Sequence, residues 1–372
     1  MLYSRWRRLL AIGGGMAIGS LFLTASGAAL TKQASTGGGG GLALAKQVVA
    51  KAKAPVTRWP GPTTSPKAAR GKVIGHIACA QAAEGCKRET DGVVAAARAI
   101  GWKLIVVDGQ GDQQKQLAGC NSLIQQGVEA ISLGSIDAGV LGDCMAKANT
   151  KRIKVISIMA PDPRPQGGLI DVEQSPEKAG DALAALVALD AGGKGNVALF
   201  VHNENPYVSR RTKAFKAGLK KYAPRMKIVF EQSVTLSQIG PPEQQLMQAF
   251  LQGHPKGTVQ YFYGGFDAMT APLVEEAARE GRTELKAAGF DGNAQNISFI
   301  RSGSIQFATA ASALEWDGWA AVDQLNRVFQ GKPLVKNYTP ARLLTKGNLP
   351  KTNAWFGDFD YQSYYKRLWG VR

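Results

Sequence analysis

Between residues 72 and 329 one pattern repeats: short β-rich apolar runs alternate with segments whose apolar residues recur at helical spacing. The first run, 73–79, is followed by a helical stretch over 87–100 with Val93, Val94, Ala97 and Ile100 on one face. Strands are predicted at 104–107, 130–133, 153–159 and 168–172, with helices over 113–126 and 141–149 between them. The pattern then resumes. Strands at 197–201, 228–230, 259–263, 285–290 and 305–310 alternate with helices over 177–189, 208–222, 243–251, 268–280 and 313–329. A parallel strand pair needs a long crossover, and a helix supplies it. The alternation therefore predicts an α/β chain of two similar doubly wound parallel-sheet lobes.

One stretch near the end of this run carries chemistry. Residues 286–292 read Lys-Ala-Ala-Gly-Phe-Asp-Gly, a short strand ending in a tight turn with one carboxylate, Asp291. Gly289 and Gly292 allow the turn and leave room beside the acid. In open α/β sheets ligands sit at the carboxyl ends of strands.

The net charge of +17 is unevenly spread over the 372 residues. Residues 1–83 contain no Asp or Glu, and residues 1–70 alone hold ten Lys and Arg, leaving +7 for the rest. A nucleic-acid binder concentrates positive charge on its folded module, so nucleic acid is not expected as a partner. Arg5, Arg7 and Arg8 precede an apolar stretch over 9–25, and Ser26-Gly27-Ala28 offers a small-residue cleavage site. Residues 1–28 therefore read as an export signal, either ordinary or twin-arginine, with an uncleaved anchor as the alternative. Residues 29–70, with five consecutive glycines at 37–41 and four prolines at 55–66, read as a Gly/Pro-rich linker, with a short helix over 43–54.

Export bears on the cysteines. Four are present, Cys79, Cys86, Cys120 and Cys144, an even number in a disulfide-permissive compartment. Cys79 ends a strand and Cys86 begins the next helix, so a bridge between them is expected. Cys120 and Cys144 fall on consecutive helices of one sheet face and form a second candidate bridge. The three histidines are scattered, so no metal site is expected. No Gly-x-Ser-x-Gly elbow, His-Glu-x-x-His pair or phosphate-loop lysine occurs, and Gly109-Gln110-Gly111 lacks the third glycine of a dinucleotide loop. Binding without a cofactor is expected, not catalysis.

An exported pair of α/β lobes ending in Gly289-Phe290-Asp291-Gly292 resembles the type I periplasmic binding proteins of the ribose-binding kind, solute receptors of ABC importers. Residues 108–112 with Lys115-Gln116, residues 123–131, and Arg211-Thr212-Lys213-Ala214-Phe215 carry the resemblance locally. It implies two lobes joined by three hinge crossovers that close on a small-molecule solute. The lobes would comprise 71–170 plus 312–331 and 171–311 plus 332–350, with 351–372 an aromatic-rich tail packed on one lobe. It further implies a monomer in the periplasm or cell envelope, docking on a membrane permease. A signalling receptor with the same lobes stays open as the alternative. Asp291 stands where the family accepts from sugar hydroxyls, and Arg211 where it donates. Phe290, Asp267, Phe266, Trp316, Asp171 and Tyr207 complete the expected ligand-binding set, with Asn205 near them. Other positions depart from the family: Ala83-Glu84-Gly85-Cys86 replaces its sugar-sandwiching aromatics, and Met159-Ala160 its Asp-Arg pair. A solute less polar than a plain pentose or hexose is as consistent with this cleft as a sugar.

Overall fold

In the computed structural model, residues 39–160, 169–172, 174–335 and 339–372 are described. The export signal expected at 1–28 lies outside them. In chain order the first elements are α1 (Gly39–Lys53), β1 (Val73–Ala78), α2 (Glu84–Ile100), β2 (Lys103–Asp108), α3 (Gln113–Gln125), β3 (Ala130–Gly134), α4 (Gly142–Thr150), β4 (Lys154–Ile158) and β5 (Leu169–Val172). The second series is α5 (Pro176–Asp190), β6 (Lys194–Val201), α6 (Pro206–Tyr222), β7 (Arg225–Ser233), α7 (Pro241–Gly253), β8 (Tyr261–Gly264), α8 (Asp267–Arg279), β9 (Lys286–Asp291), α9 (Ala294–Ser302) and β10 (Gln306–Ser312). The chain ends with α10 (Leu314–Phe329), β11 (Ala341–Thr345) and α11 (Tyr361–Trp369).

Two sheets result. The first has the order β2-β1-β3-β4-β5 and is parallel throughout. The second runs β11-β10-β9-β8-β6-β7, parallel except for β11, which pairs antiparallel with β10 at one edge. Burial on both faces explains the near-continuous apolar strands: Ile74 to Ala78 and Ala130 to Gly134 are buried at every residue. Although α10 follows the second sheet in sequence, it packs on α2 beside the first. Glycines set that approach. A Cβ on Gly92 would lie 2.2 Å from the Glu315 carbonyl oxygen, and one on Gly318 2.3 Å from the Val93 nitrogen. The chain thus passes between lobes after β5, after β10 and after α10.

Both expected bridges are present, Cys79–Cys86 and Cys120–Cys144, with Cα separations of 5.8 and 6.1 Å. The second staples α3 to α4.

The linker expected over 29–70 is corrected from residue 39 onward. Leu42, Ala45, Val49 and Ala52 recur at helical spacing and bury against the α5–α6 side of the second lobe. Gly41 is a packing device there: a Cβ on it would sit 2.6 Å from the Tyr222 carbonyl oxygen. Beyond α1 the proline-rich stretch is pinned to the first lobe. Trp59 stacks on Trp316 at 4.8 Å and on Tyr364 at 4.1 Å, and the Ala69 amide donates to Asn326 Oδ1 at 2.9 Å. The aromatic tail closes the same cluster, with Trp369 parallel to Trp319 at 5.4 Å.

Candidate ligand-binding cleft

The carboxyl ends of both sets of strands face a common cleft, whose cavity measures about 60 Å³. That is several times the space one ordered water needs. The first lobe contributes the Cys79–Cys86 disulfide, Ala83, Gly85, Glu89, Ser135, Met159 and Leu314 to the wall. From the second lobe come His202, Asn205, Tyr207, Val208, Arg211, Leu236, Phe266 and Asp291.

Asp291 closes β9 with φ 101°, in the left-handed region that a side chain rarely adopts. Such a backbone costs on the order of 1–3 kcal/mol and persists only when its surroundings hold it. Asp267 does the holding. Fully buried, it accepts from the Gly292 and Asn293 amides at 2.8 and 3.1 Å and from Thr309 Oγ1 and Gln306 Nε2 at 3.0 and 3.1 Å. Gly289 is required beneath it, since a Cβ there would meet Asp267 Oδ1 at 2.4 Å.

Arg211 projects from the second turn of α6 and is 1% exposed. Its Nη1 donates to Asp291 Oδ1 at 3.4 Å, its Nη2 donates to the Gly265 carbonyl, and its Nε has no protein partner. The guanidinium lies over the Phe290 ring, 4.0 Å from its centroid. Asn205 caps α6, accepting from the Tyr207 and Val208 amides, and its Nδ2 donates across the cleft to the Ser135 and Met159 carbonyls at 3.0 and 3.2 Å.

Of the expected ligand set, Asp291, Arg211, Phe266 and Tyr207 reach the cavity wall, as does Asn205. Two others sit one layer behind: Phe290 is the platform under Arg211, and Asp267 the anchor of the turn. Trp316 is corrected. It is fully buried, stacked between Trp59 and Tyr361, because the 39–70 segment and the tail supply its partners and cover it away from the cavity. The backbone of Asp171 lies in β5 opposite Ser157; its side chain is outside the described residues.

Three polar groups were not anticipated. Glu89, on α2, is 1% exposed and accepts from Ser135 Oγ at 2.7 Å through Oε2. Burial pushes its carboxyl well above the usual range; the Ser135 bond opposes, and Asp317 and Asp291 add to the rise. His202 Nδ1 donates to the Val234 carbonyl at 3.0 Å, and burial lowers the ring's pKa, so a neutral imidazole turns Nε2 outward as an acceptor. Among the described residues of the wall, Arg211 and Asp291 form the one ion pair, and burial favours the neutral form of the remaining acidic side chain present, Glu89.

Residues 74–333 match the family described as "Periplasmic binding protein domain". The chain is 28% identical to the ribose import binding protein of Bacillus subtilis (strain 168) over 259 residues, covering 68% of this chain and 81% of that protein. To the ribose import binding protein of Escherichia coli (strain K12) it is 22% identical, over 67% and 81% of the two chains. Among solved structures, a sugar ABC transporter protein from Yersinia enterocolitica subsp. enterocolitica 8081 aligns with TM-score 0.72 and 19% identity, covering 83% of this chain and 99% of that one. An ABC transporter solute binding protein from Agrobacterium vitis with bound allitol aligns with TM-score 0.67 and 23% identity, covering 74% and 96%. The chain belongs to the periplasmic binding protein domain family, and its two lobes are the type I form of that fold.

Proposed function

We propose that this protein is the exported solute-binding component of an ABC importer, capturing a small neutral hydroxylated solute between its lobes by hinge closure. The observation that carries the reading is the Arg211–Asp291 pair, the one ion pair among the described residues that line the interlobe cavity. A carboxylate that accepts and a guanidinium that donates match a hydroxyl group, and both bonds are charge-assisted. The balance of charge disfavours ionic solutes. Apolar groups such as Met159, Leu236 and Phe266 suit the carbon face of a polyol or a partly reduced sugar. The ribose-binding relatives and the allitol-bound neighbour point to the same class. The positive leader and apolar run over 5–25 support export, and a membrane permease is the partner that the reading requires.

Calorimetric titration with ribose, allitol, myo-inositol and glycerol, beside acetate and a basic amino acid, tests it. Saturable binding of at least one hydroxylated solute is expected. Binding of only the charged compounds would refute the reading.

A further inference from the structure

His202 directly follows β6 and forms part of the cavity wall. Its ring is held in place from three directions. Nδ1 meets the Val234 carbonyl at 3.0 Å, and the Phe266 ring stands nearly perpendicular at 5.3 Å between centroids. Gly265 approaches closely as well: a Cβ there would lie 3.4 Å from the His202 nitrogen and 3.6 Å from its Cβ. A carbonyl only accepts, so the Nδ1 bond fixes a proton on Nδ1 and leaves the lone pair of the neutral ring on Nε2. Burial favours that neutral form; the Val234 bond and Glu204 oppose it, and Arg211 supports it. Glu204 Oε2 stands 3.8 Å from Nδ1 and accepts from the Leu236 amide at 2.9 Å.

Nε2 has no hydrogen-bond partner among the described residues. Unlike Arg211 Nε, it is not sealed in by protein. The two groups on the Nδ1 edge, Val234 and Glu204, are not part of the cavity wall, whereas His202 is. The ring therefore presents its other edge, with Nε2, to the cavity. Resting on the hydroxylated-solute reading above, we propose that His202 is a specificity-determining residue of the cleft, its Nε2 accepting a hydrogen bond from a hydroxyl of the bound solute. Asp291 is already matched to Arg211, so His202 supplies an acceptor that brings no charge with it. A lone pair welcomes a hydroxyl and repels an ether, keto or carboxylate oxygen, which can only accept.

The test compares wild type with His202→Asn and His202→Gln. Asparagine places its amide near the Nδ1 position, keeping the bond to Val234 but offering no acceptor at Nε2. Glutamine reaches the Nε2 position and gives up the Val234 bond. Each protein is titrated calorimetrically with ribose, allitol, myo-inositol and glycerol, and melted without solute. His202→Asn should melt close to wild type yet bind about three- to tenfold more weakly whichever solute wild type binds best. His202→Gln should melt lower and keep its affinity within about threefold. In ¹⁵N spectra of histidine-labelled wild type, the signal that His202→Asn removes should show the Nδ1–H tautomer, and its Nε2 resonance should move on solute binding. Wild-type affinity in His202→Asn overturns the proposal, as does an Nε2–H tautomer or an Nε2 resonance unmoved by bound solute. Should His202→Asn prove unstable, that resonance decides. If wild type binds none of the four solutes, the hydroxylated-solute reading falls and the role of His202 with it; failures seen with a bound solute count against His202 alone.

Discussion

Arg88 Nη1, on the first lobe, donates to the backbone carbonyl of Asp291, on the second, at 3.2 Å. The same nitrogen reaches the Gly292 carbonyl and Asn293 Oδ1, while Nη2 donates to the Trp355 carbonyl at 2.8 Å and to Glu315 at 2.9 Å. One guanidinium thus joins α2, α10, the turn carrying Asp291 and the C-terminal segment. Its pKa is raised: burial works against the charge, and the Glu315 carboxylate outweighs it. Arg88→Met should weaken solute affinity by roughly tenfold, since these bonds exist only with the lobes together. It should also enlarge the ligand-free particle in small-angle scattering. Unchanged scattering and affinity would confine Arg88 to a structural role.

Asp291 and Arg211 should separate when mutated. Asp291→Ala removes a charge-assisted acceptor and costs about 1.5–3 kcal/mol of binding, roughly ten- to a hundredfold in affinity. Asp291→Gly should lose the same affinity yet melt above Asp291→Ala, because the φ of 101° suits glycine and strains alanine. Arg211→Ala should lose both affinity and stability. It strands Asp291 and empties a fully buried site above Phe290. Calorimetry beside melting curves checks all three; an Asp291→Gly protein no more stable than Asp291→Ala contradicts the strain argument.

Much of this architecture was legible because parallel strands leave a periodic trace, and Asp291 was legible because the trace ends in its turn. The antiparallel β11 was not, being a five-residue edge strand, Ala-Arg-Leu-Leu-Thr, directly after Pro340. The five glycines read as a tether because glycine's freedom is visible in sequence, whereas the close approach of Gly41 to α6 is not. Glu89 was hidden for a related reason. Lys-Arg-Glu-Thr-Asp at 87–91 has the composition of a solvated helix face, yet Arg88 and Glu89 turn inward while Lys87 and Asp91 pair outside. Trp316 was ambiguous because its covering partners, Trp59 and Tyr361, lie hundreds and tens of residues away.

Reduction of the Cys79–Cys86 bridge should affect binding as well as stability. The bridge closes a short loop and contributes about 2–3 kcal/mol. Both cysteines, Ala83 and Gly85 line the cavity, so the freed loop loses its fixed wall. The Cys79→Ser/Cys86→Ser protein should melt lower and bind solute more weakly. The Cys120→Ser/Cys144→Ser protein should melt lower with unchanged affinity, because that bridge lies away from the cleft. Equal affinity in both double variants would remove the loop from the site.

The N-terminal segment adds a link between lobes beyond the three crossovers. From α1 on the second lobe the chain runs to Trp59 on the first. Arg342 Nε of β11 donates to the Lys53 carbonyl at 2.9 Å, and Asp358 accepts from Arg342 Nη1 at 3.1 Å and the Val56 amide at 2.8 Å. Trp59→Ala should cost about 3 kcal/mol through lost stacking. With the link loosened, the ligand-free protein should also scatter as a more open particle. A melting temperature within error of wild type would show that the strap is incidental.

Glu243 predicts the pH profile of stability. It occupies the third position of α7, is fully buried, and neither carboxyl oxygen has a partner. The helix N-terminus favours a negative charge there, but burial dominates and pushes the carboxyl up to about 9. The folded pKa lies above the unfolded one, so the folded state binds the extra proton between the two values. The stability it supports is fully present below about pH 4.5 and is lost as pH rises toward 9. Glu243→Gln is neutral at every pH and escapes this loss. In denaturant titrations it should exceed wild type by about 1–3 kcal/mol at pH 8. The gap should close as pH falls toward 5. A gap of the same size at both pH values would mean that Glu243 does not titrate in this range and that its burial is compensated.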